Sequence, residues 1–150
     1  MATEISADVI ERRFVEEEHR RLRAGLANLQ DAIAGAHRLT QSLAVDRVVL
    51  TLGWLRRDVL PHAAWEEAWL YAHVDVQAGT AWATRALRFQ HEQIRELAAA
   101  LEGELQSAHE HWTSEHAFRL VVALTRLETL VSAHLAQEER MVVPLLDSRD

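Results

Sequence analysis

Apolar residues recur along this chain at steps of three and four, the period of a helix with one buried face. Four such series can be followed. The first reads Val15, His19, Leu22, Leu26, Leu29 and Ile33 and predicts a helix capped by Ser6 or Asp8 and running to about Gly35. A turn over 37–42 follows, with Ser42 as N-cap of a second helix. That helix carries Val45, Val48, Leu52, Leu55 and Val59 into His62, Glu66 and Trp69 and ends near Tyr71. Pro61 lies inside it, removes one backbone hydrogen bond and predicts a kink. After a break over 75–79, a third helix from about Thr80 to Leu105 shows Thr84, Leu87, His91, Ile94, Ala98, Leu101 and Leu105. The polar stretch 106–113 reads as a loop. Thr113 or Ser114 then caps a fourth helix with Leu120, Leu124, Leu127 and Val131, which continues through His134, Glu138, Met141 and Leu145 and weakens near Pro144. Turns this short join antiparallel neighbours, so the expected fold is all-α, an up-down-up-down four-helix bundle.

The series also repeat. At an offset of 72 residues His19 falls on His91, His62 on His134 and Glu66 on Glu138. Val15 falls on Leu87, Leu22 on Ile94, Leu29 on Leu101, Ile33 on Leu105, Val48 on Leu120, Leu52 on Leu124 and Arg23 on Arg95. The chain therefore reads as two helical hairpins of one pattern, roughly 8–72 and 80–146, within a single domain spanning 1–150.

What the repeat carries is chemistry. Each hairpin supplies a lone His on its first helix and a His-x-x-x-Glu on its second, within the motif His-x-Ala-x-Glu-Glu at 62–67 and 134–139. Residues four apart on a helix share a face, so each His and Glu can reach one site. Measured from the end of the bundle that holds the 75–79 break, the six fall in one layer, about 10 to 20 Å deep at 1.5 Å per residue. Imidazoles and carboxylates buried together cost several kcal/mol per unpaired charge, and a pair of cations offsets that cost.

Composition narrows the classes. With 49% hydrophobic residues, five Gly and two Pro, the 150-residue chain suits long helices and can bury a sizeable core. No cysteine means no disulfide and no thiolate ligand. A net charge of −7 disfavours nucleic acid. No basic leader and no membrane-length apolar run is present, which makes a cytoplasmic protein without membrane partners the default expectation.

On these motifs the chain resembles the hemerythrin-like (HHE cation-binding) family along nearly its whole length. The resemblance implies a metal centre at His19, His62, Glu66, His91, His134 and Glu138, holding two iron ions under an oxo or hydroxo bridge. It places His19 with His62 on one iron and His91 with His134 on the other, with Glu66 and Glu138 bridging. Imidazole and carboxylate suit iron, and a manganese or mixed pair is also compatible with them. Oxygen-carrying hemerythrins have a further His where this chain has Arg95 and an Asp where it has Glu138. Arg offers no lone pair, so both irons are expected to keep an open position.

The resemblance supports several functions with O2, peroxide or nitric oxide as the small ligand. One is an enzyme that dismutates or reduces peroxide or reduces nitric oxide, its protein partner or electron donor undetermined. A second is a module that binds or senses oxygen or iron without turnover. Iron delivery to damaged metal centres is done by relatives with the same ligand order that carry a Cys-containing N-terminal segment not found in this sequence. A metal-free interaction bundle is the bland reading. Among the neighbours, Glu67, Glu92 and Glu139 point aside from the ligand face and are expected to be solvated or to support a ligand from behind. Arg23 and Arg95 extend to solvent or pair with Glu18 and Glu92. Trp65 and Trp69 are expected to shield the layer, with an electron-hole path as the rarer role. Tyr71 reads as a boundary tyrosine within reach of the layer, and His37, His73, His109, His111 and His116 read as solvated histidines near the bundle ends.

Overall fold

The computed structural model describes residues 7–146, with side chains from Arg12 onward. The described residues form four helices, α1 (Ala7–Ala34), α2 (41–78), α3 (Trp82–Glu110) and α4 (Ser114–Met141), with short 3-10 turns at Ala36–Arg38 and Val143–Leu146. Helix α1 packs on α2 and α4, and α3 packs on the same two. This is the expected all-α four-helix bundle, and no strand occurs among the described residues. None of these helices is long and apolar enough to cross a membrane.

The ends of the helices depart from the sequence expectations for local reasons. Ser6, one of the two expected caps of α1, lies outside the described residues. Thr40 rather than Ser42 caps α2, its hydroxyl accepting the Leu43 N–H at 3.3 Å. The break expected over 75–79 is shorter. Helix α2 reaches Ala78 and stops at Gly79, whose φ of 67° closes a left-handed cap, with the Gly79 N–H on the Val76 carbonyl and the Thr80 N–H on that of Asp75. The stretch 106–113 is mostly helix, because Ala108 continues the spacing of Leu101 and Leu105 onto a buried face. Gln41 also donates to the Ala108 carbonyl at 2.7 Å, satisfying a C-terminal acceptor of α3. Only 111–113 leave the helix, and Thr113 caps α4.

Helix α2 contains two wide turns of π type, Leu55–Val59 and Glu66–Leu70. The first precedes Pro61, which has no N–H for the Arg57 carbonyl and whose ring would crowd it. Widening to a Leu60 N–H to Leu55 carbonyl bond resolves that conflict and is the form the expected kink takes. The second turn shifts the register by one residue. Trp69, expected in the core, is 69% exposed, while Leu70 and Tyr71 are buried in its place. In α4 the buried stripe likewise steps from Glu138 to Val142, leaving Met141 and Leu145 outside and Val143 and Leu146 inside.

Two apolar clusters result. The larger runs from Leu22, Val59, Ile94 and Leu135 down to Ala44, Leu101 and Leu120; the smaller gathers Val15, Leu70, Tyr71, Val74, Leu87, Val142, Val143 and Leu146 at the other end. In the larger one Trp54 lies flat on Gly25, where an added Cβ would come within 2.0 Å of the indole nitrogen. Between the clusters, on all four helices, lies a single polar layer.

Candidate metal centre

The layer consists of His19, His62, Glu66, His91, His134 and Glu138, each at most 4% exposed. All six residues singled out by the repeat are thus brought together. Their donor atoms form two groups, His19, His62, Glu66 and Glu138 in one and Glu66, His91 and His134 in the other, with the atoms of each group within 4.8 Å of one another. Glu66 belongs to both groups, and Glu138 reaches from the first to His134 of the second. Glu66 sets Oε1 2.5 Å from His62 Nε2 and 3.6 Å from His19 Nε2, and Oε2 3.1 Å from His91 Nε2. Glu138 sets Oε1 3.5 Å from His19 Nε2 and Oε2 3.1 Å from His134 Nε2.

The donor set calls for positive charge. His19 Nε2, His62 Nε2, Glu66 Oε1 and Glu138 Oε1 make no hydrogen bond of acceptable geometry, although they are buried and crowded together. His91 and His134 point their Nε2 atoms at each other 3.0 Å apart, while each Nδ1 faces an oxygen, of Glu67 and of Gln90, both at 2.9 Å. With Nδ1–H donating outward, Nε2 is left as a lone pair, so two lone pairs meet. A cation in each group satisfies every one of these atoms, so the residues present fit a metal pair.

Without a cation, protons supply the charge. Burial opposes charging of His19, but the carboxylates of Glu138 and Glu66 outweigh it and push its pKa up to about 10; the same contest pushes His134 up to about 9. Burial would raise Glu66, yet His134, His19, His62 and His91 hold its carboxyl well below the usual range.

Around the layer the histidines are oriented from behind. His19 Nδ1 lies 3.3 Å from Glu139 Oε1, and Arg23 grips Glu139 through two contacts of 2.9 and 3.3 Å. His91 Nδ1 meets Glu67, which Arg95 grips at 3.0 and 3.1 Å. Burial opposes the ionised form of Glu67, but Arg95 and His91 prevail and lower its pKa. The supporting reading of Glu67 and Glu139 therefore matches their contacts, while Arg23 and Arg95 pair across helices rather than with Glu18 and Glu92. Glu92 is exposed. His62 Nδ1 stands 3.5 Å from Glu18, which pairs with Arg21 at 2.8 Å.

Tyr71 is the residue the sequence underrated. It is fully buried, its hydroxyl donating to Glu138 Oε2 at 2.8 Å and lying 3.3 Å from Glu66 Oε2 and 3.5 Å from His91 Nε2. Five residues after Glu66 would be about 140° away on a regular helix; the wide turn at 66–70 brings it round. Its ring stacks on His91, with the Arg88 guanidinium over it. Trp65 is half-buried, stacked over His62 and in contact with Phe14, whereas Trp69 faces outward and shields nothing. Among the five bundle-end histidines, His116 and His73 are partly buried, the other three exposed, and none joins either donor group.

The profile of the Hemerythrin HHE cation binding domain matches residues 12–146. The chain belongs to that family. The match spans both hairpins and all six layer residues, and a buried His and Glu cluster able to hold metal is what a cation-binding domain requires. No curated protein and no solved structure matches the chain significantly.

Proposed function

We propose that this HHE domain holds two iron ions through His19, His62, Glu66, His91, His134 and Glu138, with both glutamates bridging, and acts on peroxide, nitric oxide or O2. One observation carries the reading: Glu66 extends one oxygen toward His19 and His62 and the other toward His91 and His134, and Glu138 one toward His19 and the other toward His134. When bound, such a pair supplies reversible electron transfer to a small oxidant together with Lewis acidity. The protein's own part is to hold and orient the donors, to exclude water and to admit small molecules. Neighbouring Glu139, Glu67 and Gln90 hold the Nδ1 atoms of His19, His91 and His134 turned outward, which aims their Nε2 atoms at the interior, while His62 Nδ1 faces Glu18 at 3.5 Å without a hydrogen bond. Val15, Leu70, Leu87 and Val142 close one side of the layer, and Val59, Ile94, Val131 and Leu135 the other. A cleft of about 400 Å³ lined by Arg12, Glu16, His19, Arg20, Arg23, Glu139 and Val143 reaches the outer edge of His19 and suits a small, polar reactant. A roomier cleft of about 660 Å³ beside Leu97, Ala100 and Leu130 shares no residue with the layer.

The near-complete burial of the layer also suits a module that binds or senses oxygen or iron without turnover. Metal analysis of protein from iron-replete cells, followed by rapid mixing of the reduced form with peroxide, nitric oxide and O2, tests both. Two irons per chain with catalytic consumption of peroxide or nitric oxide supports the enzyme. A long-lived charge-transfer band without turnover supports the binder, and a chain that takes up no iron overturns both.

A further inference from the structure

Resting on the metal-pair reading above, we infer that Tyr71 is itself a metal ligand, its phenolate oxygen completing the shell of the ion held by His91 and His134, so that the two ions are unequal. With both glutamates shared, each ion has two histidines and two carboxylates, and a further donor, the Tyr71 hydroxyl, stands on the His91 side alone. The Tyr71 hydroxyl lies within 3.5 Å of Glu138 Oε2, Glu66 Oε2 and His91 Nε2. Two donors each about 2.1 Å from a cation and at right angles are about 3.0 Å apart, so this oxygen already sits at ligand spacing from its neighbours. The arrangement is built rather than incidental. A wide turn delivers the side chain, His91 stacks on its ring and the Arg88 guanidinium lies 5.5 Å from the ring centre, and the hydroxyl finds no acceptor except atoms that a cation would claim. On binding, the phenol O–H bond breaks, the proton leaves to solvent and an oxygen–metal bond forms, as for other acidic ligands. At the matching position of the other hairpin stands Val143, which has no donor and lines the cleft beside His19. The ion at His19 and His62 therefore keeps the open position, on the side a small molecule can reach.

Tyr71 is the chain's one tyrosine, so its signature needs no mutant to assign. The test loads the full chain with ferric iron, counts the metal, and records visible absorption and resonance Raman spectra with ordinary and ring-deuterated tyrosine. Two irons per chain with a visible phenolate-to-iron band, whose ring modes shift on deuteration and which Tyr71→Phe abolishes while keeping iron, is the expected result. Two irons without such a band overturns the ligand role and leaves the metal-pair reading standing. A chain that binds no iron overturns both.

Discussion

The two hairpins are copies in pattern, and comparing them across the polar layer separates what the repeat conserves from what it lets go. The set His19, Arg23 and Glu139 corresponds to the set His91, Arg95 and Glu67, contact for contact, each set joining the first helix of one hairpin to the second helix of the other. The supports of the second histidines have diverged: Glu18 stands behind His62 where Gln90 stands behind His134. So have the residues that follow the glutamates. After Glu66 the helix widens and buries Tyr71 against the layer; after Glu138 it stays regular to Met141 and Val143 fills the matching place. The shared part orients donors. The divergent part sets how many donors each half offers and how much charge backs them, which makes one half closed and the other accessible.

The largest expected effect comes from the carboxylates, because they do not serve the histidines equally. Glu66 comes within 3.7 Å of all four layer histidines, Glu138 within 3.5 Å of His19 and His134. Glu66→Gln should therefore abolish binding of both ions, while Glu138→Gln, which leaves every layer histidine a carboxylate neighbour, should retain up to one per chain. Titration with iron followed by metal counting checks it, and equal losses from the two variants would mean that the groups act as one. Leaving the layer's imidazoles with half their counter-charge is also a stability matter, of order 3 to 5 kcal/mol for a broken buried pair.

Much of this comparison was legible in the sequence, and the rest was hidden for a definite reason. The six layer residues keep helical spacing and recur at one offset, so period and repeat alone put them together. Tyr71 escaped because residues five apart meet only where a helix widens, and the period that picked out Glu66 pointed instead to Trp69, which faces solvent. Pro61 was a visible cause for the first wide turn; the second has no comparable marker in the sequence. The roles of Arg23 and Arg95 stayed open, because the acids near them on their own helices, Glu18 and Glu92, are not the ones they pair with. The offset held the better clue, since the shift that carries Arg23 to Arg95 and His19 to His91 also carries Glu67 to Glu139. The stretch 106–113, expected as a loop, has two apolar residues, Ala108 and Trp112, too few for a periodic signal, yet Ala108 is enough to keep the helix going.

A second expected effect distinguishes a layer filled by protons from one filled by cations. In the metal-free chain the pKa values of His19 and His134 are raised from the ordinary 6.5 to about 10 and about 9. Raised histidine values stabilise the fold fully below about 6.5, and the contribution drains away as pH climbs through 9 and 10. Glu66 is lowered, so its contribution is present above the ordinary glutamate value and is lost as pH falls below it. Thermal melts of chelator-treated protein should therefore show Tm falling by about 5 °C or more between pH 6.5 and 10. Metal-loaded protein should show no such slope, since imidazoles that bind a cation are already deprotonated. A metal-free Tm that stays level over that range would mean that those histidines are neutral in the fold.

The smallest effect, and the one that probes the conserved part of the comparison most closely, concerns the two carboxylates behind His19 and His91. Removing a carboxylate that orients a ligand histidine typically costs about 10- to 100-fold in metal affinity. The two should not cost the same. Glu67 is the more enclosed, its side chain 26% exposed against 41% for Glu139. It is also nearer its histidine, 2.9 against 3.3 Å. Water can replace the outer partner more readily than the inner one, and an exposed ion pair such as Arg23 with Glu139 contributes little by itself. Glu67→Gln should thus weaken the ion at His91 toward the upper end of that range, and Glu139→Gln should weaken the ion at His19 toward the lower end, as read by competition with a chelator. Equal losses would show that the supports are as alike in strength as they are in pattern, and that the inequality of the halves lies wholly in Tyr71 and in the Glu18 to Gln90 exchange.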